Sequence, residues 1–219
     1  MCETHPKIAI LSDFDGTIAE DLSDILYRTF AECGMKYARM WAEGEIGTPE
    51  EIIKTFATVH ASQEEMKTAL RAARFDDSFR PFVAFCLQKG WEVAIVSDGL
   101  VWAIQTVLDF HHIPAVEIYA NHIFFTGEGY TFEFPWFRPE TPHAGVSKPA
   151  VLQRYRQAGY RIIFIGDGRS DKDVIGLTDV LFAKDELLAL CRQAGVQAEP
   201  FERFVDVQQT LQKQLWMTS

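Results

Sequence analysis

The chain contains little cysteine, no long apolar run and few basic residues. Its four cysteines, Cys2, Cys33, Cys86 and Cys191, are widely separated, which argues against both a disulfide framework and a zinc site. No stretch approaches the roughly 20 apolar residues that a membrane span requires. The first residues, MCETHPK, include no apolar segment of the signal-peptide type. We therefore expect a cytoplasmic protein without a membrane partner.

Acidic residues outnumber basic ones. The 31 Asp and Glu against 21 Lys and Arg give a formal net charge of -10 over 219 residues. Nucleic acids and anionic membranes are bound by basic patches, so we expect neither as a partner. The negative net charge does not exclude a small phosphorylated metabolite as a partner, provided that the binding site itself contains cations. The length suits one core with a small subdomain, as a monomer or a homodimer.

The most informative segment for predicting the fold and the site is KIAILSDFDGT, residues 7–17. Its apolar run predicts a short strand buried on both faces, followed directly by Asp13 and Asp15. Side chains two apart on an extended chain point the same way, so both carboxylates should face one site. Gly16 permits a sharp turn, and Thr17 can hydrogen-bond back to it. Two such close charges require a cation or a shared proton. The alternative is an acidic turn that caps the next helix.

The next segment is helical throughout. Residues 20–75 show apolar residues at helical spacing, with no strand between them. We predict helices at 21–33, 37–43, 48–60 and 62–74, with Gly34 ending the first and Thr48 and Ser62 as caps. This pattern predicts a helical cap subdomain at 20–75 and a core domain formed by 1–19 and 76–219.

The rest of the chain alternates strands and helices. This alternation predicts an α/β fold with a doubly wound parallel sheet. We expect strands at 92–96, 116–120, 161–165 and 180–182, and a β-hairpin that pairs 122–126 with 130–134. Helices are expected at 79–89, 100–111, 148–159, 171–176, 185–195 and 204–216.

Polar residues follow the buried strands where each one ends. Ser97, Asp98 and Gly99 follow the second strand, and Asp167 follows the strand at 161–165. Lys148 begins a helix. Parallel strands bring their carboxyl ends to one edge of the sheet, so these groups should meet Asp13 and Asp15 there. Such a coincidence is hard to explain by chance.

These residue types suit phosphoryl transfer. Asp13 can attack a phosphoryl group and form an aspartyl-phosphate, while Asp15 moves protons. Asp13, Asp167 and the backbone carbonyl of Asp15 form an all-oxygen site suited to Mg²⁺. Asp171, one helical turn beyond Asp167, can hold a metal-bound water or Lys148.

Other groups can bind the phosphate. Ser97 and the backbone N–H of Gly99 can donate to its oxygens, and Lys148 supplies positive charge. Each has an alternative: Ser97 can cap the following helix, Asp98 is more suited to capping or orienting, and Lys148 alone can be a solvated residue. Arg169 and Asp173 are either loop charges or neighbours of the site.

Taken together, DFDGT, the strand end with Ser97, Lys148 and GDGRSD resemble the four motifs of the haloacid dehalogenase superfamily of phosphatases. The resemblance implies a Rossmannoid core, a nucleophilic first aspartate, an acid/base second aspartate, Mg²⁺, and a cap that closes over the substrate. The C-terminal half resembles the branch that acts on 2-hydroxy-3-keto-5-methylthiopentenyl-1-phosphate in methionine salvage. In that branch several cysteines precede the lysine, whereas 138–147 has none, so the substrate stays open.

Phosphoserine phosphatases share the same plan. In those enzymes a glutamate nine residues after the nucleophile binds the amine of the substrate; this chain has Leu22 at that position. Glu20 or Asp21 can substitute for it, and Lys54 corresponds to the phosphate-contacting arginine of their cap. The resemblance therefore implies that Glu20 and Lys54 contact the substrate.

An apolar substrate pocket is a further hypothesis for the cap. Its candidate residues, although residues of these types at helical spacing are more often plain cap core, are Met35, Tyr37, Met40, Trp41, Phe56 and His60. His60, His122 and His143 have no metal-site spacing. A phosphotransferase or mutase that uses the same intermediate is the alternative to a phosphatase. A non-catalytic module is less favoured, because both aspartates are present.

Overall fold

A computed structural model describes residues 7–127 and 129–216, with side chains described through residue 213. The strands are β1 Lys7–Ser12, β2 Glu92–Leu100, β3 Glu117–Thr126, β4 Gly129–Glu133, β5 Tyr160–Gly166, β6 Val180–Ala183 and β7 Glu199–Pro200. They form one sheet in the order β4-β3-β2-β1-β5-β6-β7. Every pair is parallel except β3 with β4. The predicted α/β class is confirmed.

Helices cover both faces of this sheet. They are α1 Leu22–Phe30, α2 Gly34–Ala42, α3 Thr48–Phe56, α4 Gln63–Arg71, α5 Phe79–Gln88, α6 Val101–Phe110, α7 Lys148–Gln157, α8 Asp185–Ala194 and α9 Phe204–Trp216. Alternate residues of β1 serve the two cores, since Ile10 packs toward α5, α6 and α9 while Ala9 and Leu11 pack toward α7 and α8. Among the described residues, no helix is long and apolar enough to cross a membrane.

Helices α1–α4 form an insert between β1 and α5, here called the helical insert. The chain enters and leaves it through two adjacent segments: Glu20 donates its backbone N–H to Arg74 (2.9 Å) and Asp76 donates to Ile18 (2.9 Å). Buried side chains such as Leu26 continue the hydrophobic core of the sheet into the insert. The division into a core and a 20–75 cap stays a prediction.

Several elements differ from the predictions in their bounds, and one strand was not predicted. β3 is one strand rather than two, because its first half pairs with β2 and its second half pairs with β4. Gly34 begins α2 instead of ending α1, which stops at Phe30 where Ala31 becomes extended. β7, only two residues long, was not predicted.

The first residues of two helices also differ from those predicted. Thr48 is the first residue of α3 rather than its cap, because Gly47 holds the extended cap position. A 3₁₀ helix, Arg169–Val174, replaces the helix expected at 171–176. The capping box at Ser62 and Glu65 is present.

Candidate active site

The carboxyl ends of β1, β2 and β5 meet the helical insert around a cavity of about 190 Å³. The core residues that line it include Asp13, Asp15, Ser97, Asp98, Gly99 and Asp167. The structure therefore brings together the strand-end residues that were expected to share one edge. Lys148 lies directly beneath them, 3.1 Å from Asp13.

Asp13 is buried at the end of β1 and held from three sides. Its backbone N–H donates to Ile165 (2.9 Å), and its Oδ1 accepts from the backbone N–H of Phe14 (2.8 Å). Its Oδ2 lies 3.1 Å from Lys148 Nζ and 3.5 Å from Ser170 Oγ. Burial raises the pKa of Asp13 well above its ordinary value, the Asp171 carboxylate raises it further, and Lys148 opposes both.

Asp15 faces the helical insert. Its Oδ1 accepts from the backbone N–H of Leu22 at the start of α1 (2.8 Å), and its Oδ2 is 3.5 Å from Ser97 Oγ. Burial, then the nearby Asp21, raise the pKa of Asp15 to about 8. The pKa of both carboxyl groups is thus raised, and Asp13 differs from Asp15 in lying against a lysine. This arrangement limits the repulsion expected between the two carboxylates.

The turn after Asp15 fits closely against β5. Gly16 has φ of +77°, and a Cβ atom there would overlap the Asp167 carboxylate. The Thr17 hydroxyl was predicted to bond back to its own turn. In the structure it donates instead to Asp167 Oδ1 (2.5 Å). Burial raises the pKa of Asp167 to about 6, against the hydrogen bond from Thr17.

Lys148 is buried in an ion-pair cluster. Its side chain is 2% exposed, and Nζ donates to Asp171 Oδ1 (2.5 Å) and to Ser170 Oγ (3.3 Å) besides its contact with Asp13. Burial lowers the pKa of Lys148, but attraction to Asp13 and Asp171 outweighs burial and raises it. Asp171 Oδ2 accepts from the backbone N–H groups of Asp167 (3.1 Å) and Gly168 (3.2 Å). Asp171 therefore contacts Lys148, one of the two roles expected of it, and its other role, holding a metal-bound water, stays a prediction.

Three carboxylates form a site whose chemistry fits Mg²⁺. Oxygen atoms of Asp13, Asp167 and Asp171 all lie within 4.8 Å of one another. The raised pKa values of Asp13 and Asp167 reflect their burial and the neighbouring negative charges, which Lys148 and Lys184 do not offset. A hard divalent cation prefers such oxygen donors and would relieve this repulsion.

Ser97 and Asp98 differ in what they do locally. Ser97 Oγ accepts from the Gly99 N–H (2.9 Å), and no side chain caps α6 at Leu100, so Ser97 does not cap this helix. Asp98 Oδ1 accepts from the Val146 N–H (2.6 Å), and its Oδ2 accepts from the Thr48 hydroxyl (3.1 Å). Asp98 thus orients both the 138–147 loop and α3.

The structure does not bring Glu20 and Lys54 to the cavity. Glu20 pairs with Arg74 (2.7 Å), and Lys54 pairs with Glu50 (2.6 Å) on the outer face of α3. Neither side chain lines the cavity. Lys54 faces away from the cavity on its helix, and the contacts of Glu20 and Lys54 with a substrate stay predictions.

The apolar candidates of the insert are mostly core or surface residues. Only Trp41 of the six lines the cavity, and its Nε1 donates to the Thr48 hydroxyl (3.0 Å). Phe56 packs against Tyr130 and Phe132 of the hairpin. The outer positions of the six are Met35 and His60. Of the two loop charges considered, Arg169 lines the cavity, while Asp173 lies 3.2 Å from His143.

Sequence reasoning missed several cavity residues of the insert, among them Tyr27, Thr48 and Glu51. Glu51 is 8% exposed, and no described residue supplies it with a hydrogen bond or an ion pair. Burial, then Asp21 and Asp98, raise the pKa of Glu51 to about 8. Its spacing of three from Thr48, which places both on one helix face, was the available signal.

Replacing Glu51 with glutamine should change how stability depends on pH. Folded Glu51 keeps its proton up to about pH 8, whereas its ordinary pKa is 4.5. The stability contributed by this group is therefore full below pH 4.5 and is lost as pH rises through 8. Relative to wild type, Glu51→Gln should gain unfolding free energy between pH 5 and pH 8, by about 1.4 kcal/mol per pKa unit of the shift.

Urea denaturation of both proteins at pH 5 and pH 8 measures this difference. Glu50→Gln is the matched control, since Glu50 is exposed on the same helix, and its pH dependence should follow the wild type. Identical pH dependence in wild type and Glu51→Gln would contradict the prediction.

The family assignment rests on a match over most of the chain. Residues 10–175 match the family model of haloacid dehalogenase-like hydrolases. The chain belongs to this family. A 2-hydroxy-3-keto-5-methylthiopentenyl-1-phosphate phosphatase of Geobacillus kaustophilus (strain HTA426) is 31% identical over 222 residues, which cover 94% of this chain and 96% of that protein.

Two further proteins are similar to this chain. Pdp3-interacting factor 1 of Schizosaccharomyces pombe (strain 972 / ATCC 24843) is 28% identical over 225 residues, covering 94% of this chain and 96% of that protein. A substrate-bound phosphoserine phosphatase has a TM-score of 0.71 at 17% identity over 95% of this chain and 99% of that chain, which shows the shared fold. The predicted resemblance is confirmed, and so is the enzyme class: this haloacid dehalogenase-like hydrolase is a phosphomonoester hydrolase.

Proposed function

We propose that this hydrolase releases phosphate from a small phosphorylated metabolite through an aspartyl-phosphate at Asp13, with Mg²⁺ as its cofactor. The observation that carries the proposal is that the two neighbouring carboxyl groups have different partners: Asp13 has a buried lysine that favours its charged form against the effect of burial, and Asp15 has none within ion-pair distance among the described residues. Asp13 lies 3.1 Å from a buried lysine, and Asp15 beside it has a pKa of about 8. A nucleophile needs the charged form, and a general acid needs the protonated one.

In the first step, Asp13 attacks phosphorus and forms an O–P bond as the ester P–O bond breaks. Asp15 gives its proton to the leaving oxygen. In the second step, Asp15 takes a proton from the water that attacks the phosphorus, and the Asp13 carboxylate is released with phosphate. The contact of Asp15 with the Leu22 N–H, which joins it to the helical insert, fixes its orientation.

Binding of the phosphate is proposed for Ser97, the backbone N–H of Gly99, and Lys148. Asp171 positions Lys148, and Asp98 orients the loop and helix around the cavity. Asp13, Asp167 and the backbone carbonyl of Asp15 would hold Mg²⁺. When bound, the ion offsets the repulsion between the carboxylates and the phosphate.

The first candidate substrate is 2-hydroxy-3-keto-5-methylthiopentenyl-1-phosphate. It is supported by the name of the Geobacillus relative, which matches along nearly its whole length. Phosphoserine is the second candidate, because a phosphoserine phosphatase has the same fold. We further propose that residues 20–75 act as the cap over a core formed by 1–19 and 76–219, since α1 and α3 line the cavity.

Phosphate release from a panel of metabolite phosphates tests the proposal. We expect release with Mg²⁺ and a loss of at least about a hundredfold with a chelator, because the ion stabilises the transferring phosphoryl group. Activity should return when Mg²⁺ is added back. Undiminished release in chelator would contradict the metal requirement. Transfer of phosphate to an added alcohol, in place of release, would identify the phosphotransferase alternative.

A further inference from the structure

Glu51 is a buried carboxyl group in the cavity that the proposed chemistry leaves without a role. It lies on α3, is 8% exposed, and lines the cavity opposite the core residues. Within the described part of the chain, it has no hydrogen-bond donor and no cation as partner. Burying a carboxyl group without a partner costs free energy, so proteins rarely keep one without a use.

The hydroxyl of Thr48, next to Glu51 on the cavity side of α3, is already satisfied. The Thr48 hydroxyl, one turn earlier on α3, accepts from Trp41 and donates to Asp98. The backbone N–H of Glu51 donates to Gly47 (3.0 Å), as expected near the start of a helix. The contacts that join α3 to the core therefore run through Thr48, and the Glu51 carboxyl group stays available to a ligand.

The charges that face Glu51 are of one sign. Asp21 from the start of α1 and Asp98 from the end of β2 both raise the pKa of Glu51, and Tyr27 of α1 is the nearby neutral group. Lys148 is already paired with Asp13 and Asp171. Among the described residues that line the cavity, the one cation is Arg169. It donates to the Glu186 carboxylate (3.0 Å) and to the Ala42 carbonyl (3.2 Å). Below about pH 8 the Glu51 carboxyl group keeps its proton and accepts a hydrogen bond through its carbonyl oxygen; when it loses the proton, its charge adds to those of Asp21 and Asp98.

We propose that Glu51 is a specificity-determining residue: it accepts a hydrogen bond from a hydroxyl or ammonium group on the substrate, losing its own proton when that group is ammonium, and, with Asp21 and Asp98 beside it, disfavours substrates with a carboxylate at that place. The inference rests on the proposed function, since it places a phosphate ester in this cavity. Phosphoserine carries both an ammonium group and a carboxylate, so the inference requires its ammonium group, and not its carboxylate, to lie at Glu51. A site with a buried unpaired acceptor discriminates strongly between ligands with and without a donor.

Binding of matched phosphate esters to an Asp13→Asn protein tests the inference without turnover. The esters have two- or three-carbon chains that end in hydroxyl, ammonium, methyl or carboxylate, and their dissociation constants are measured by calorimetry with Mg²⁺ present. We expect the best hydroxyl or ammonium ester to bind about tenfold more tightly than its methyl analogue, and the carboxylate ester to bind most weakly.

Variants at position 51 in the same Asp13→Asn background separate the two donor groups. Glu51→Leu should remove the preference for both donors. Glu51→Gln keeps a carbonyl acceptor but cannot ionise when an ammonium group binds, so it should keep the hydroxyl preference and lose most of the ammonium preference. Glu50→Gln, on the outer face of α3, should behave as the Asp13→Asn parent. Thermal unfolding verifies that each variant is folded.

Two results would overturn the inference: equal binding of all four end groups by the parent, or an unchanged order of affinities in Glu51→Leu and Glu51→Gln. Phosphate release by the wild-type enzyme from an aryl phosphate is measured in parallel. Absence of that release rejects the proposed function, whereas release together with indifferent binding rejects only the role of Glu51.

Discussion

Asp13→Asn is expected to reduce phosphate release at least about a thousandfold, as losses of a nucleophile generally do. The amide keeps the shape of the side chain and can still accept from the Phe14 N–H, so the end of β1 should stay folded. It cannot form the acyl phosphate that the proposed mechanism requires. Phosphate release in saturating Mg²⁺ measures the effect, and thermal unfolding verifies the fold.

A covalent readout separates loss of the nucleophile from a general disturbance. Brief reaction with a radiolabelled phosphate ester, followed by acid quenching, should leave label on the wild-type protein and none on Asp13→Asn. Asp109→Asn is the matched control, because Asp109 is exposed on α6, its side chain accepts a hydrogen bond from Gln105, and it does not line the cavity. An Asp13→Asn protein that retains activity within tenfold of wild type would reject the mechanism.

Sequence patterns located the core half of the site because of how parallel strands are buried. Strands covered on both faces appear as apolar runs, so the polar residues after them stand out, as Asp13, Ser97 and Asp167 do. Parallel pairing of β1 with β2 and with β5 then places these three residues at one edge. Lys148 was found by its helix start, although its burial between two aspartates could not be predicted from sequence.

The helical insert could not be interpreted equally well, because helical spacing shows which residues share a face but not what that face contacts. Lys54 and Glu51 lie on one short helix, and the structure turns Glu51 toward the cavity and Lys54 toward Glu50. The same limit affected Phe56, which packs on hairpin residues more than seventy positions away. Long-range contacts of this kind leave no local pattern. A short edge strand such as β7 leaves too few residues for one.

Lys148→Met is expected to destabilise the protein by about 3–5 kcal/mol, the cost typical of removing one partner from a buried ion pair. Methionine keeps most of the volume of lysine but leaves Asp13 and Asp171 buried without the cation that lies 3.1 Å and 2.5 Å from them. Urea denaturation in the presence of a chelator measures the loss. Lys172→Met, an exposed lysine nearby in the chain, is the control and should change stability by less than about 0.5 kcal/mol.

Two conditions should partly rescue Lys148→Met if the loss is electrostatic. Acidification lets Asp13, whose pKa is already raised by burial, take a proton, so the difference from wild type should shrink as pH falls. Mg²⁺ should do the same at neutral pH, because it supplies positive charge to Asp13 and Asp167. If the loss were due to packing, neither pH nor Mg²⁺ would alter it. A Lys148→Met protein within 1 kcal/mol of wild type in chelator would show that the buried lysine is not needed to compensate these aspartates.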